Sequence, residues 1–375
     1  MLMYVVMMKT RPEEFRVSST MAQFFSDEII PLFEILKDEY QKHYKRDPIT
    51  GELIYEIDEG KTRRHRVLLP QKSEDLITLK KLNERISGKK AFIDFYRFDS
   101  SVHEKKIKTA YATLPLALRI FSQYKKRLLE ISKFPNFIPV ISIRNKSNLT
   151  QDEVLTLITD LKTANTPSPI AVRIDIREFD EYKHILKQLL DIQDYFLLDI
   201  GTMGLASVKD QIEEISKSDI HGTKILLNSP RKSSPISNAD YEEEDYTDLI
   251  SCEVNNAFEK FGFQGYGDFG GLKNDFPTEG GPTKACALAL LFDAEKNKYM
   301  SFMNSDNILS LRGYEDVVKR ILSRKKEFDP NNDCPAMALI SNFGKQGSGN
   351  GNWGSWNRIT LTRTIHQQYK SLQRK

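Results

Sequence analysis

Nine side chains stand at or near the C-terminal ends of short apolar runs, and they carry groups that acid–base, phosphate or metal chemistry would use. They are Lys9, Glu34, Asp94, Arg97, Arg173, Asp175, Asp199, Asn228 and Asp268. Carboxylates gathered at one end of a fold can hold a divalent cation such as Mg²⁺, or act as general acid and base. Asp175, Asp199 and Asp268 are the candidate metal ligands, and a divalent metal is the candidate cofactor. Arginines beside them, Arg97, Arg173 and Arg177, would clamp a phosphate or carboxylate through paired N–H groups. The competing reading is structural: the same charges pair with one another and close a buried layer.

The elements that must position these groups are eight apolar runs: Tyr4–Met8, Ile29–Leu36, Ala91–Phe98, Phe137–Ile143, Ile170–Ile176, Tyr195–Ile200, Thr223–Leu227 and Phe263–Phe269. Most are followed by a segment with helical character. Eight strand–helix units are what a (β/α)8 TIM-type barrel requires, and such barrels carry their sites at the C-terminal ends of the strands. The alternative architecture is an irregular α/β sheet that does not close. In the run at 170–177, Ile170, Val172, Ile174 and Ile176 share one face, and Ala171, Arg173, Asp175 and Arg177 share the other. In a barrel the second face points into the lumen. The same parity groups Glu34 with Leu32, Ser142 with Val140, and Asp268 with Tyr266.

The connecting segments carry helix signals. Thr150 and Glu153 form a capping-box pair ahead of Val154, Leu157, Ile158 and Leu161. Helical spacing recurs at 179–190, 205–215 and 246–261, and residues 101–131 predict one long helix or two. Residues 37–90 exceed a minimal barrel: Pro48–Ile49–Thr50–Gly51 is a turn signal inside a small β insertion, with a helix expected at 73–87. Residues 228–245 read as a surface loop. Residues 283–304 read as a hairpin, with strands at Ala285–Phe292 and Tyr299–Met303. A helix at 314–326, an apolar run at Ala336–Ile340, a glycine-rich loop at 344–354 and a closing helix complete the chain. The whole, 1–375, is expected to form one barrel domain carrying the 37–90 and 283–304 insertions.

Composition bounds the function classes. The 375 residues are 39% hydrophobic and 29% charged, enough for a substantial core. With 55 basic and 52 acidic residues the net charge is +3, which argues against a surface coated for nucleic acid. The dense basic run Lys61, Arg63, Arg64, His65 and Arg66 keeps local phosphate-backbone contact open, although Glu52, Glu56, Asp58 and Glu59 offset it. No stretch approaches the length of a membrane span, and the opening apolar residues read as a first strand and not as a signal peptide. Three separated cysteines, Cys252, Cys286 and Cys334, form no metal pair and suit a reducing cytoplasm.

Other motifs exclude or neutralise further classes. None of the six histidines gives the spacing of a zinc hydrolase. The loop 344–354 is glycine-rich but lacks the Gly-x-x-x-x-Gly-Lys-Ser/Thr order of a phosphate loop. The only tryptophans, Trp353 and Trp356, border it, either to pin the loop or to stack on a ligand ring, with packing the commoner use. Gly265 to Gly271 permits close backbone approach to a ligand or a turn into the hairpin.

Several of these segments together resemble the Beta family of bacterial and phage proteins. They are the aromatic-led strand from Tyr4 with Lys9 and Glu13–Glu14, the Ile30–Pro31–Leu32–Phe33–Glu34 run, the Gly265–Tyr266–Gly267–Asp268–Phe269 element, and Trp356 followed by Thr360–Thr364. The resemblance implies a TIM-type barrel and an occurrence in prophages and defence-rich gene neighbourhoods, and it brings no reaction with it. In the family the tryptophan element leads to a paired histidine. Here Arg363 and Thr364 stand nearest, with a lone His366 beyond, so an activity resting on that pair would be absent or carried by other groups.

Three functions follow as expectations. The first is a component of an antiphage or mobile-element system that binds a phage-derived ligand at the barrel mouth, with a protein partner encoded nearby or supplied by the phage. The second is a metal-assisted hydrolase of a phosphate-containing substrate. The third is an adaptor whose mouth is inert and whose 37–90 insertion binds another protein.

Overall fold

The structure is a computed structural model that describes every residue except 1, 61, 98–106, 145–148, 165–168, 233–235, 277–284, 344, 346–348 and 375. Eight strands are β1 (Met3–Lys9), β2 (Ile29–Ile35), β3 (Ala91–Phe95), β4 (Phe137–Ile143), β5 (Ala171–Asp175), β6 (Tyr195–Asp199), β7 (Thr223–Leu227) and β8 (Gly265–Asp268). All neighbouring pairs run parallel, and the sheet closes in the order β1-β8-β7-β6-β5-β4-β3-β2. Closure removes the open-sheet alternative. The strands are apolar on both faces because helices cover the outside and side chains fill the lumen; β1, β2 and β4 are buried at every position.

Helices follow the strands as the spacing predicts. They include α1 (Pro12–Thr20), α2 (Thr78–Arg85), α3 (Thr109–Ala117), α4 (Phe121–Ile131), α5 (Gln151–Ala164), α6 (Phe179–Leu189) and α7 (Leu205–Ser216). The capping box of α5 forms: the Glu153 N–H donates to Thr150 Oγ1 at 3.2 Å and the Thr150 N–H donates to Glu153 Oε2 at 2.9 Å. The 101–131 stretch resolves into α3 and α4; residues 101–106 lie outside the described set.

The insertion after β2 holds a two-stranded ladder, Tyr55–Glu56 with His65–Arg66, and isolated bridges that include Tyr44 with Leu68. The predicted turn forms there, with Asp47 Oδ1 accepting from the N–H groups of Ile49 and Thr50 at 2.8 Å each.

Toward the C-terminus the structure departs from the expected hairpin. Strands β9 (Ala287–Asp293) and β10 (Lys298–Asn304) pair as predicted, but Glu244–Thr247 adds a third, antiparallel strand to β10. The helical spacing read over 246–261 therefore begins too early. Tyr246 lies in that strand, its hydroxyl donating to Asp293 Oδ2 at 2.6 Å. The helix, α8 (Glu253–Ala257), starts where Ser251 Oγ accepts from the Glu253 N–H. The expected surface loop at 228–245 is shortened by the same strand.

The predicted 314–326 helix divides into α9 (Tyr314–Ser323) and α10 (Lys325–Phe328), and the apolar run at 336–340 is a helix, α11 (Pro335–Asn342). The closing helix α12 (Trp353–Gln373) begins inside the span read as glycine-rich loop, because Asn352 caps it by accepting from the Ser355 N–H. Of that loop, Gly344 and 346–348 lie outside the described residues. α12 joins two cores: Leu361 and Ile365 pack with the barrel's helix layer, whereas Trp356 and Ile359 pack under β9 and β10 with Tyr314 and Met337.

Candidate functional site

Strand register places the central charges. Lys9 is the last residue of β1 and lies opposite Glu34 on β2, which lies opposite Asp94 on β3. Parity turns all three into the lumen on one level. Arg173 lies across the lumen on β5, opposite Ser142, and Asp199 ends β6. A guanidinium is long, planar and carries five N–H donors, so a single arginine can bridge several carboxylates. Arg173 does so. It donates from Nη1 to Glu34 Oε1 at 2.7 Å and to Asp94 Oδ2 at 3.0 Å, and from Nε and Nη2 to Asp199 Oδ2 at 2.9 and 2.6 Å. Lys9 Nζ donates to Glu34 Oε2 and to Asn274 Oδ1, both at 2.6 Å.

A sixth charge completes the layer. Arg144 follows β4 directly and donates from Nη2 to Glu34 Oε1 at 2.8 Å and to Asp94 Oδ2 at 2.9 Å. Lys9, Arg144 and Arg173 thus face Glu34, Asp94 and Asp199, three cations against three anions. The side chains of Lys9, Glu34, Asp94 and Arg173 are essentially inaccessible, while Asp199 and Arg144 keep 14% and 19% exposure. Aromatic rings close over the layer: Lys9 Nζ sits 4.1 Å from the Phe269 ring centre, and the Arg144 guanidinium lies 4.2 Å from that of Tyr96, which packs on Phe276.

Burial raises the cost of every charge, and the pairing decides which form survives. For Glu34, burial alone would favour the neutral acid, but Lys9, Arg144 and Arg173 together hold its carboxyl well below the usual range. Burial pulls the Lys9 ammonium down, against the attraction of Glu34. Arg144 stays charged, held up by Glu34 and Asp94 against its own burial. Two buried polar atoms in the layer have no hydrogen-bond partner among the described residues, Asp94 Oδ1 and Arg144 Nε.

Of the nine residues read from the sequence, Lys9, Glu34, Asp94, Arg173 and Asp199 come together, and Arg97, Asp175, Asn228 and Asp268 do not join them. Arg97 lies beyond the end of β3, where strand parity no longer directs it. It donates to the Leu118 carbonyl at 3.0 Å and lies over the Tyr124 ring. Asp175 caps the turn that follows β5 and pairs with Arg177 at 2.5 Å; the Arg177 side chain is half exposed and outside the lumen. Asn228 continues β7 by donating its N–H to the Gly267 carbonyl at 2.9 Å. Asp268 does not face the lumen: register pairs it with Val6, on the face of β1 that alternates with that of Lys9, and so turns it toward the helix layer. It accepts from the Tyr4 hydroxyl at 2.9 Å and the Gly270 N–H at 2.7 Å, and burial raises its carboxyl.

Arg144 and Asn274 are the layer residues outside that set of nine. Arg144 had a sequence signal, a cation one residue past a strand end. Asn274 had none, because a loop places it.

The donor set for a metal differs from the expectation. Among the described residues no three His, Cys, Asp or Glu side chains form a group that could hold a metal ion. Asp175, Asp199 and Asp268 instead face Arg177, Arg173 and Tyr4.

Other singled-out features resolve as packing. A Cβ at Gly267 would meet the Val5 carbonyl oxygen at 2.5 Å, so that glycine serves the close approach of β8 to β1. Arg363 is buried and donates to the carbonyls of Phe292 and Phe328. His366 is buried edge-on to Phe24, 4.0 Å from Asp333, and burial with Lys370 lowers its imidazole to about 4. Arg63, Arg64, His65 and Arg66 are exposed on the insertion; Lys61 lies outside the described residues. No described helix is long and apolar enough to cross a membrane.

Among solved structures the chain is similar to a protein from Bacteroides thetaiotaomicron VPI-5482 described as an alpha-L-fucosidase. The likeness has 10% identity and a TM-score of 0.37 over 71% of this chain and 86% of that one. No curated protein matches the sequence. The Beta protein family profile matches residues 4–370, nearly the whole chain and every strand that builds the barrel mouth. The chain belongs to the Beta protein family.

Proposed function

We propose that this protein is a recognition component of an antiphage or mobile-element system, and that it binds a phage-derived ligand at the barrel mouth. The observation that carries the reading is the incomplete hydrogen bonding of an otherwise balanced layer. Among the described residues Asp94 Oδ1 lacks a donor and Arg144 Nε lacks an acceptor, at the barrel face where ligands of this architecture bind. A ligand group that both donates and accepts, such as an amide, would satisfy the two atoms. The donor set speaks less for metal-assisted hydrolysis, because a guanidinium or ammonium already occupies the cation's place beside each carboxylate of the layer.

The test is a phage panel plated on cells carrying the gene with its native neighbours. Wild type is compared with Arg144→Gln, which alters the layer, and with Asp175→Ala, which lies outside it. The expected result is protection by wild type and Asp175→Ala, and loss of protection in a folded Arg144→Gln. Equal protection by all three would overturn a working site at the mouth.

A second reading, protein binding by the insertion, is favoured by its exposed aliphatic side chains. Ile49, Ile57 and Leu68 are 92%, 53% and 54% exposed beside the basic run. Under that reading, polar replacements at these three positions break a complex with a partner and leave the barrel unchanged.

A further inference from the structure

A second compartment lies beside the charge layer, and its chemistry is different. A cavity of about 590 Å³, within the range of small-molecule sites, opens between the loops that follow β7 and β8 and the first turns of α12. The β7 loop contributes Arg231, the β8 loop contributes Lys273, and α12 contributes Trp353 and Trp356.

Arg231 is more than nine-tenths buried, yet its partners are neutral. Nε donates to the Tyr241 hydroxyl at 3.1 Å and Nη1 to the Gly271 carbonyl at 3.0 Å. Lys273 donates to the Ile236 carbonyl at 3.3 Å, and burial with the nearby Arg231 pulls its ammonium below the usual range against the longer-range attraction of Asp275 and Asp240; Asp275, which also lines the cavity, is paired with Arg11 at 2.9 Å. Among the described residues neither cation has a carboxylate within ion-pair distance. A buried cation without a counter-charge is costly, and an anion from solution would remove the cost. The helix N-terminus at Trp353 adds positive potential on the same wall. Loops after the seventh and eighth strands together with a helix N-terminus are also where barrels of this kind hold phosphate. The other wall is aromatic. The Trp353 indole N–H is buried without a hydrogen-bond partner, and Trp356 stacks on Tyr314 at 5.1 Å.

We propose that this cavity binds a phosphate monoester attached to a planar ring, of which a purine nucleoside monophosphate is the simplest example. The phosphate engages Arg231 and Lys273, and the ring lies against Trp353 with a ring acceptor on its indole N–H. This site is separate from the barrel-mouth reading and does not depend on it.

The chain supplies its own reporter. Its only tryptophans, Trp353 and Trp356, both line the cavity, so intrinsic fluorescence reads this compartment. Adenosine monophosphate, inorganic phosphate and adenosine are each titrated into the full-length protein. The expected result is a saturable change with the monophosphate at sub-millimolar concentration and binding at least about tenfold weaker for phosphate or adenosine alone. Lys273→Ala, which removes a partly buried side chain with no ion pair, weakens the monophosphate about tenfold while the melting temperature holds. Trp353→Phe weakens it as well, with Trp356 still reporting. Arg144→Gln at the mouth leaves it unchanged. Absence of saturation by the monophosphate at several millimolar, or equal affinity for Lys273→Ala, overturns the proposal. Equal binding of phosphate alone overturns the role of the ring.

Discussion

The charge layer at the barrel mouth and the cavity beside it use the same residue types to opposite ends. At the mouth, Arg144, Arg173 and Lys9 are matched one for one by carboxylates and partly covered by Tyr96, Phe269 and Phe276. In the cavity, Arg231 and Lys273 have only neutral hydrogen-bond acceptors among the described residues, and both line open space. The first arrangement balances its charges internally and, among the described residues, leaves only single hydrogen-bonding atoms over. The second leaves whole charges unbalanced. Barrel position alone does not separate the two, since both sit at the C-terminal ends of strands; counter-charge does.

The largest test of the contrast is removal of one cation from each region. Arg173→Ala strands Glu34, Asp94 and Asp199 in a buried layer, and should cost about 3–5 kcal/mol in denaturant unfolding. Arg231→Ala leaves no carboxylate behind and should cost about 1–3 kcal/mol, the loss of its hydrogen bonds and packing. If the two costs are equal, the division between a matched and an unmatched charge fails.

Acid titration sharpens the contrast with a smaller effect. Folding holds His366 at about 4, whereas the unfolded chain protonates it near 6.5. Between those values the unfolded state binds the extra proton, so stability declines as pH falls through that window, and His366→Gln should flatten the decline. The Glu34 carboxyl is held below its ordinary 4.5, so its contribution is intact above that value and is lost only at more acidic pH. The layer's loss therefore follows the histidine's, and an Arg173→Ala background, which keeps Lys9 and Arg144 beside Glu34, should shrink the later phase alone.

The smallest effect is expected at the rim. The pair of Asp175 with a half-exposed Arg177 is worth about 0–1 kcal/mol, so Asp175→Ala should unfold at nearly the wild-type denaturant midpoint. A larger shift would mean that the layer extends to the rim.

Strand periodicity made the barrel legible because lumen and helix faces alternate, and register then carried Lys9, Glu34 and Asp94 to one level. Periodicity stops where a strand stops. Arg97 and Arg177 lie past their strand ends, and local turns aim them elsewhere. Arg144 lies past one too, but its guanidinium is long enough to reach back. The third strand at Glu244–Thr247 was hidden because four residues with exposed charges carry little alternation, and pairing with β10 decides their conformation. The cavity was the least legible feature. Its walls come from two loops and a helix end, and only the fold brings Arg231, Lys273 and Trp353 together.

Closure of β1 against β8 has a consequence for how the chain reaches this state. Tyr4 and Asp268 are bonded across 264 residues, so the barrel cannot shut on the ribosome until Asp268 has been made. Lys9 and Glu34 meet early, 25 residues apart, but the bond from Arg173 to Glu34 waits for a separation of 139. During that interval the growing chain holds apolar strands with charges at their tips that have not yet found their partners. Chaperone dependence and aggregation during synthesis should therefore respond to the order in which the charges emerge.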